Sequence, residues 1–220
     1  MPQITSSVAP NGLPIHRVSL DGTRATTILV AFDAGARTER PDENGMAHFL
    51  EHLVFKGGEI YDDYRKVNET AERMGGSLNA YTSHDLVAFH ITVRAESAME
   101  AIDLLTDIFL HSNFDGEEIE RERSVILQEI SQAEDTPDDY VHDLFSLDFF
   151  QNHPLGRPIG GHVGTVSKFR REDFVNFFQE RYHPSRVVVA AAGHFQHDKL
   201  VEDLNARLAG ADRSVTCATL

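Results

Sequence analysis

Residues 44–57 read NGMAHFLEHLVFKG, an apolar helical pattern that follows a turn and ends at a glycine. We predict a helix over Met46–Phe55, because apolar side chains recur along it and Gly57 stands where helices are commonly capped. His48 and His52 are four residues apart, so they project from the same helical face on successive turns. Two imidazoles in this arrangement can bind one metal ion, at the distance of about 2.0–2.1 Å that zinc prefers.

Glu51 stands three residues after His48, also on that face, where it could reach a water at the metal without being a ligand. The order His-x-x-Glu-His inverts the commoner zinc motif, in which the glutamate directly follows the first histidine. The chain holds twelve histidines, so a five-residue pattern can also arise by chance. On the motif alone, two surface histidines beside an acidic residue remain the alternative.

A third ligand is expected, because a catalytic zinc usually has three protein ligands and one open position. The best candidate lies in a second predicted helix, residues 117–133. There Glu122 and Glu129 are two helical turns apart and share a face. Apolar residues lie between them, and a carboxylate in an apolar stripe needs a partner, which a metal would be. A solvated acidic face is the alternative for this helix.

The rest of the chain predicts an α+β fold, with a mixed or antiparallel sheet and helices packed on one face. Strands are predicted at residues 13–18, 26–32, 77–82, 86–93 and 186–192. Further helices are predicted at 62–74, at 97–150 with breaks at 112–113 and 136–137, at 166–181 and at 198–208, and a loop at 152–164. No internal repeat or linker is visible, so we predict one domain over residues 1–220.

Composition and charge exclude several classes of protein. The chain is 41% hydrophobic and 25% charged, a balance typical of globular proteins. With a formal charge of −15, the chain lacks the basic surface that binds the phosphate backbone of nucleic acids, so we expect no nucleic-acid partner. The acidic surface serves solubility or attracts cationic peptides. The single cysteine, Cys217, excludes an internal disulfide, and we assign it no nucleophilic role.

No transmembrane segment or signal peptide is visible, so we expect no membrane association and a cytoplasmic location.

With these residues in place, the chain resembles the pitrilysin/insulinase family of zinc peptidases, which includes the mitochondrial processing peptidase. The stretch at residues 44–57 follows the signature around the family's zinc site, and VILQEI at 125–130 follows the segment of its third ligand. The likeness continues through GGSLNAYT at 75–82, HPLGRPIGG at 153–161, YHP at 182–184 and AG at 192–193, and so extends from about Asn11 to Leu208.

The resemblance implies hydrolysis of peptide bonds with one Zn²⁺ per chain. It implies that His48, His52 and Glu129 hold the metal and that Glu51 acts as general base. Glu122 matches an acidic residue that supports the site, and we expect it to hydrogen-bond a ligand histidine. A helix-surface ion pair with Arg or Lys is the alternative for Glu122.

The segment that contains Asn79 and Ala80 resembles the edge strand on which the family aligns its substrate. We therefore expect these two residues to contact an extended peptide that adds to the sheet by backbone pairing. A plain hairpin strand is the alternative.

The expected function is therefore that of a zinc-dependent metalloendopeptidase acting on peptides or unfolded polypeptide segments. Members of the family usually join two related domains of about this size into a chamber, and the C-terminal companion domain is absent from these 220 residues. We expect the chain to form a homo-oligomer or to bind a companion domain or chain of the same family. The alternative is a metal-binding but inactive half, or an assembly subunit, that needs such a partner.

Overall fold

The structure, a computed structural model, describes residues 4–10 and 12–207. The strands are β1 (Ile4–Val8), β2 (Pro14–Ser19), β3 (Ala25–Phe32), β4 (Ser77–Thr82), β5 (Val87–Arg94) and β6 (Val187–Gly193). The helices are α1 (Met46–Val54), α2 (Tyr64–Arg73), α3 (Ala98–Leu110), α4 (Gly116–Glu134), α5 (Pro137–Phe150), α6 (Val163–Val166), α7 (Arg171–Arg181) and α8 (His197–Arg207).

The strands form one sheet in the order β1-β2-β6-β3-β5-β4. Strands β2 and β6 run parallel, and the other neighbouring pairs run antiparallel. The predicted α+β class with a mixed sheet is therefore confirmed. Strand β4 is at one edge of the sheet, as the resemblance to the family implied, and pairs with β5 along its whole length.

The core is on one face of this sheet, beneath the helices. Ile28, Val30 and Phe32 of β3 are buried, whereas the residues between them are only half-buried. The ring of Phe32 meets those of Phe89 and Phe109 at centroid distances of 6.4 and 5.5 Å, which joins β3 to β5 and α3. Burial thus alternates along β3 although its residues 28–32 are all apolar, whereas in β5 apolar and polar residues themselves alternate from Phe89 to Arg94.

Strand β1 is absent from the sequence-based prediction. It pairs antiparallel with β2 at the other edge of the sheet, and four of its five residues are exposed. A strand with both faces near solvent has no reason to alternate apolar and polar side chains, so its sequence carries no strand signal.

The helix predicted at 166–181 was wrong in its first turn, because α6 ends at Val166 and α7 begins at Arg171. The guanidinium of Arg123, on α4, donates to the carbonyl oxygens of Val166 and Phe169. The Asp173 carboxylate accepts the N–H of Arg170 at 2.8 Å and so caps α7. A distant side chain thus satisfies carbonyls that a continuous helix would have used itself.

Two sequence-based predictions reach beyond the described residues: the end of the last helix at Leu208 and the assignment of no role to Cys217. Along residues 4–10 and 12–207, no helix has both the length and the hydropathy required to cross a bilayer.

Two glycines bring the loop before α6 against the start of α1. Gly45, immediately before α1, has a φ of +97°, and Gly161 opposite has a φ of +79°. A Cβ on Gly45 would stand 2.8 Å from the carbonyl oxygen of Gly160, which is closer than van der Waals contact allows. Glycine at residue 45 therefore permits both the backbone turn and the close approach of this loop.

We expect Gly45→Ala to lower the free energy of unfolding by about 2–4 kcal/mol, because the new Cβ meets backbone and the φ is unfavourable for alanine. Urea denaturation followed by circular dichroism measures this change. Gly164→Ala is the matched control, since a Cβ there meets nothing within 4 Å, and it should change stability by less than about 0.5 kcal/mol. Equal effects of the two substitutions would contradict this account of the loop contact.

Candidate metal centre

Two neighbouring helices bring three candidate ligands together. His48 and His52 stand on α1, and Glu129 stands on α4. The Glu129 Oε2 atom is 3.8 Å from His48 Nε2 and 3.7 Å from His52 Nε2. One ligand atom from each of the three residues fits within a span of 4.8 Å. The structure therefore gathers the three residues that the sequence proposed as metal ligands.

The three ligand atoms would have to move closer together to bind a zinc ion. Ligand atoms about 2.0–2.2 Å from a tetrahedral metal are about 3.3–3.6 Å from one another. The separations of Glu129 from the two histidines, 3.7 and 3.8 Å, are a few tenths of an ångström longer than that, and the three atoms together lie within 4.8 Å. Two imidazoles and one carboxylate are also the donor set of several catalytic zinc sites that keep a fourth position open.

Burial of α1 holds the two histidines in place. Phe49, Leu50, Leu53 and Val54 are all buried, so the opposite faces of the helix are embedded in the core. The rings of Phe49 and Phe174 meet at a centroid distance of 4.6 Å, which also ties α1 to α7. A helix packed on several sides cannot rotate about its axis, and this rigidity fixes the direction in which its histidines project.

Glu122 lies between one ligand and a lysine. Its Oε2 atom is 3.0 Å from His52 Nδ1, and its Oε1 atom is 2.5 Å from Lys56 Nζ. Burial alone would raise the pKa of Glu122, but the hydrogen bonds from His52 and Lys56 lower it overall. An Nδ1–H donated to this carboxylate leaves the Nε2 lone pair of His52 facing Glu129. Glu122 therefore makes both of the contacts considered for it: a hydrogen bond with His52 and an ion pair with Lys56.

The two histidines differ in their electrostatic surroundings. Burial, with repulsion from His52, lowers the pKa of His48 from 6.5 to about 4. Burial also acts to lower the pKa of His52, but the hydrogen bond to Glu122 and the nearby carboxylates raise it above 6.5 overall. His48 is therefore neutral at pH 7, as a metal ligand must be, whereas a metal at His52 must displace a more firmly held proton.

Glu51 is positioned by a contact that the sequence did not reveal. The hydroxyl of Thr82, at the end of β4, donates to Glu51 Oε2 at 2.5 Å. Burial raises the pKa of Glu51 above 4.5 against the opposing effect of this hydrogen bond. A carboxylate with a raised pKa is better matched to proton transfer near neutral pH. Thr82 is within the segment quoted for the edge strand, but only the fold brings it to Glu51.

The predicted substrate contacts, Asn79 and Ala80, are neighbouring residues of the edge strand β4. Asn79 is exposed, and its side-chain amide donates to the Ser77 hydroxyl at 3.1 Å. Ala80 is half-buried and packs against the core. Thr82, two residues beyond Ala80, joins the strand to Glu51, so β4 passes directly beside the candidate centre. The role of Asn79 and Ala80 in binding a peptide stays a prediction.

Glu39 is a buried residue at this centre that the sequence analysis missed. Its carboxylate accepts the backbone N–H of Gly45 at 3.1 Å, the N–H of Ala47 at 2.8 Å and the side-chain amide of Asn44 at 3.1 Å. These bonds satisfy donors at the start of α1, where Gly45 offers no side chain to cap the helix. A carboxylate eight residues before its helical target has no local sequence signature, since known capping motifs span three residues.

The site opens into a cavity of about 330 Å³ between α4, α5 and the loop before α6. His48 and Glu129 are among the residues that line it. Its walls are mostly apolar, with two further carboxylates: the cavity is lined among others by Ile126, Ile130, Glu134, Asp143, Leu147 and Ile159. A substrate side chain could therefore be held next to the candidate ligands.

We expect Glu122→Gln to weaken Zn²⁺ binding about 10- to 100-fold, because it removes the charge that orients His52 through Nδ1. Competition against a chromophoric zinc chelator at pH 7.5 measures the affinity. Glu117→Gln, at an exposed position of the same helix, is the control and should bind Zn²⁺ like the unaltered chain. An unchanged affinity for Glu122→Gln would show that Glu122 does not support the site.

Glu39 gives a pH-dependent prediction. Burial raises its pKa from 4.5 to about 7, against the opposing effect of its hydrogen bonds. The folded protein then keeps this proton up to about pH 7, whereas the unfolded chain releases it near pH 4.5. The contribution of Glu39 to the free energy of unfolding therefore falls as the pH rises from 4.5 to about 7.

We expect the free energy of unfolding of the unaltered chain, relative to Glu39→Gln, to fall by about 2 kcal/mol from pH 5 to pH 7.5. Urea denaturation of both proteins at the two pH values measures this difference, and groups common to both cancel. A difference that grows with pH would mean that the three N–H donors keep Glu39 ionised.

Comparison with known proteins matches residues 18–162 to the insulinase family, peptidase family M16. The chain is 39% identical over 203 residues to a probable mitochondrial-processing peptidase subunit beta of Arabidopsis thaliana, which covers 92% of this chain and 38% of the relative. It is 38% identical over 194 residues to the uncharacterized zinc protease YmxG of Bacillus subtilis (strain 168), which covers 88% of this chain and 47% of the relative.

Among solved structures, the crystal structure of a protease from Helicobacter pylori superposes with a TM-score of 0.91 at 23% sequence identity. The match covers 99% of this chain and 53% of that one, and it shows the fold. The chain thus spans less than half the length of the two curated relatives. The extent of the family match and the identity to these relatives lead to one conclusion: this chain belongs to the insulinase family of peptidases, M16.

Proposed function

We propose that the chain is the metal-binding half of a zinc-dependent endopeptidase that hydrolyses peptides or unfolded polypeptide segments. The observation that carries this proposal is the convergence of His48, His52 and Glu129, with Glu51 close enough to interact electrostatically with His52 and Glu129. A zinc protease among the relatives and the family's peptidase activity support the choice of metal and of reaction.

The residues divide the chemistry between them. His48, His52 and Glu129 would hold the zinc ion, which when bound would supply Lewis-acid chemistry: polarisation of the substrate carbonyl and a lower pKa for the attacking water, about 7. The Glu51 carboxylate accepts the proton that the attacking water loses. It then delivers that proton to the amine nitrogen as the peptide C–N bond breaks. The Thr82 hydroxyl donates to one Glu51 oxygen, so the other oxygen would take this proton.

An extended peptide would bind along β4. The outer side of this edge strand has no neighbour among the described strands, so its backbone groups are available for pairing. Asn79 and Ala80 would then contact the substrate. The cavity beside His48, with carboxylates at Glu134 and Asp143, favours a substrate side chain that is apolar along its stem and positively charged at its end.

The second candidate function is a metal-loaded half that is inactive until a partner completes it. The observation that favours it is length, since the chain matches only 38% and 47% of two relatives. In this case a companion domain or chain of the same family, or a second copy of this chain, would enclose the substrate. Activity of the chain alone separates the two candidates.

We expect the purified chain to bind close to one Zn²⁺ per molecule and Glu129→Gln to bind far less, because one of three ligands loses its charge. Elemental analysis after zinc loading and desalting gives the stoichiometry. Glu117→Gln again serves as the control on the same helix. No retained zinc in the unaltered chain would overturn the site.

We expect Glu51→Gln to retain zinc but to lose at least about 100-fold in peptide hydrolysis, because an amide cannot take the proton from the attacking water. A quenched fluorescent peptide measures the rate, and 1,10-phenanthroline should abolish it in the unaltered chain. Activity that survives in Glu51→Gln would exclude Glu51 as the base. An unaltered chain that holds zinc but is silent without a companion domain would favour the second candidate.

A further inference from the structure

A lysine just after α1 extends the contacts of the candidate metal centre by one step. The Lys56 ammonium is 2.5 Å from Glu122 Oε1, and Glu122 Oε2 is 3.0 Å from Nδ1 of the candidate ligand His52. The two oxygens of Glu122 therefore join the lysine to the ligand. Lys56 follows His52 by four residues and so stands about one helical turn beyond the His-x-x-Glu-His motif.

Burial distinguishes this ion pair from those at the surface. The side chains of Lys56 and Glu122 are only 15% and 11% exposed, whereas those of Lys66 and Asp62, a surface pair on α2, are 52% and 56% exposed. Solvent and salt screen a buried pair much less than an exposed one. The charge of Lys56 thus acts on the Glu122 carboxylate more strongly than that of a surface lysine would.

The ring of Tyr64 fixes the other side of Lys56. The ammonium stands 4.7 Å from the centroid of this ring, which is a cation–π contact. Tyr64 is the first residue of α2, and the side chain of Asp63 caps that helix by accepting the N–H of Lys66 at 2.7 Å. The ammonium is therefore held between a carboxylate and an aromatic face.

The loop between α1 and α2 is anchored to the helix layer, which keeps Tyr64 in place. The carboxylate of Asp107, on α3, is buried and accepts the N–H groups of Ile60 and Tyr61, both at 3.0 Å. A series of contacts therefore runs from α3 through this loop to Tyr64, and from there to the Lys56 ammonium.

The contact with Lys56 limits the ways in which Glu122 can turn. A carboxylate bound by one imidazole alone could present either oxygen to it. With Oε1 at the ammonium of Lys56, Oε2 remains to accept the Nδ1–H of His52. The Nε2 lone pair of His52 then faces Glu129, as binding of a metal between these two residues requires.

We propose that Lys56 is a positioning residue of the metal centre: it holds Glu122 in the orientation that keeps the proton of neutral His52 on Nδ1, and it thereby strengthens zinc binding. This inference rests on the proposed function, in which His52 binds zinc. Lys56 acts only through Glu122. Its own positive charge opposes a bound cation, so the two effects differ in sign and can be separated by experiment.

A double-mutant cycle on zinc affinity tests the proposal. We expect Lys56→Met to weaken Zn²⁺ binding about three- to tenfold, less than Glu122→Gln, because it removes the support of Glu122 rather than Glu122 itself. In the Glu122→Gln background, Lys56→Met should leave the affinity unchanged or raise it, since only repulsion of the cation is then lost. Competition with a chromophoric chelator at pH 7.5 measures all four affinities. Lys66→Met, which removes the same charge from the surface, should bind zinc like the unaltered chain.

Two substitutions at Tyr64 provide a second test at an exposed residue, where folding is not at risk. Tyr64→Leu should weaken Zn²⁺ binding about two- to fivefold, because the Lys56 ammonium loses the aromatic face. Tyr64→Phe keeps that face and should bind zinc like the unaltered chain. Circular dichroism of each metal-free variant checks that it is folded.

The tautomer of His52 provides a readout that needs neither zinc nor activity. Two-bond ¹H–¹⁵N spectra of the metal-free chain at alkaline pH, where the ring is neutral, show which nitrogen carries the proton, and His52→Gln identifies the signals. We expect the proton on Nδ1 in the unaltered chain and a mixture of both tautomers in Lys56→Met.

Three results would overturn the proposal: the same effect of Lys56→Met in both backgrounds, tighter zinc binding by Lys56→Met when Glu122 is present, or an unchanged His52 tautomer. Equal affinities of Tyr64→Leu and Tyr64→Phe would overturn the role of the ring.

The same measurements keep this proposal apart from the proposed function. Failure of the Lys56 proposal leaves the zinc content of the unaltered chain and the effect of Glu51→Gln unchanged. If zinc binds but no peptide is hydrolysed, the peptidase proposal fails and the double-mutant cycle still stands. A chain that retains no zinc overturns both statements about zinc, and the His52 tautomer then shows whether Lys56 positions Glu122.

Discussion

The carboxylate of Glu39 fixes the start of helix α1, and the candidate centre depends on that contact. Three N–H groups, two from the backbone of α1 and its preceding residue and one from Asn44, converge on it inside the protein. The carbonyl of Glu39 accepts from Arg157 at 2.7 Å, and the carbonyl of Asn44 accepts from Thr165. One buried residue thus joins α1 to the loop that closes beneath it.

The electrostatics of the centre follow from uneven burial around one helix. Glu51, Glu122 and Glu129 approach two histidines, and Lys56 neutralises only Glu122. A cation bound among these carboxylates would offset their mutual repulsion, which is stronger in a partly desolvated site than in water. The pKa of Glu51 is raised and that of Glu122 is lowered, although both carboxylates are close to His52. Hydrogen bonds to Lys56 and His52 keep Glu122 ionised, whereas burial makes Glu51 the more basic group.

Much of the fold could be predicted because its central elements are buried and carry periodic apolar patterns. The breaks predicted at 112–113 and 136–137 separate α3, α4 and α5, where short polar residues and a proline interrupt the helical pattern. Strand β1 could not be found, since pairing with β2 through its backbone leaves no pattern in its side chains. The break between α6 and α7 was missed because Arg123, more than forty residues away, provides the donors that end α6.

The sequence by itself determined that His48, Glu51 and His52 share one helical face, because helix geometry is local, whereas the resemblance to the family favoured Glu129 over Glu122 as the third candidate ligand. Only the tertiary structure decided that Glu129 faces those histidines, that Thr82 holds Glu51, that Lys56 shares Glu122 with His52 and that Glu39 caps α1. These contacts join residues distant in the chain, and a periodic pattern describes only neighbours along one element. Such contacts form only when burial of apolar surface packs separate helices and strands against one another.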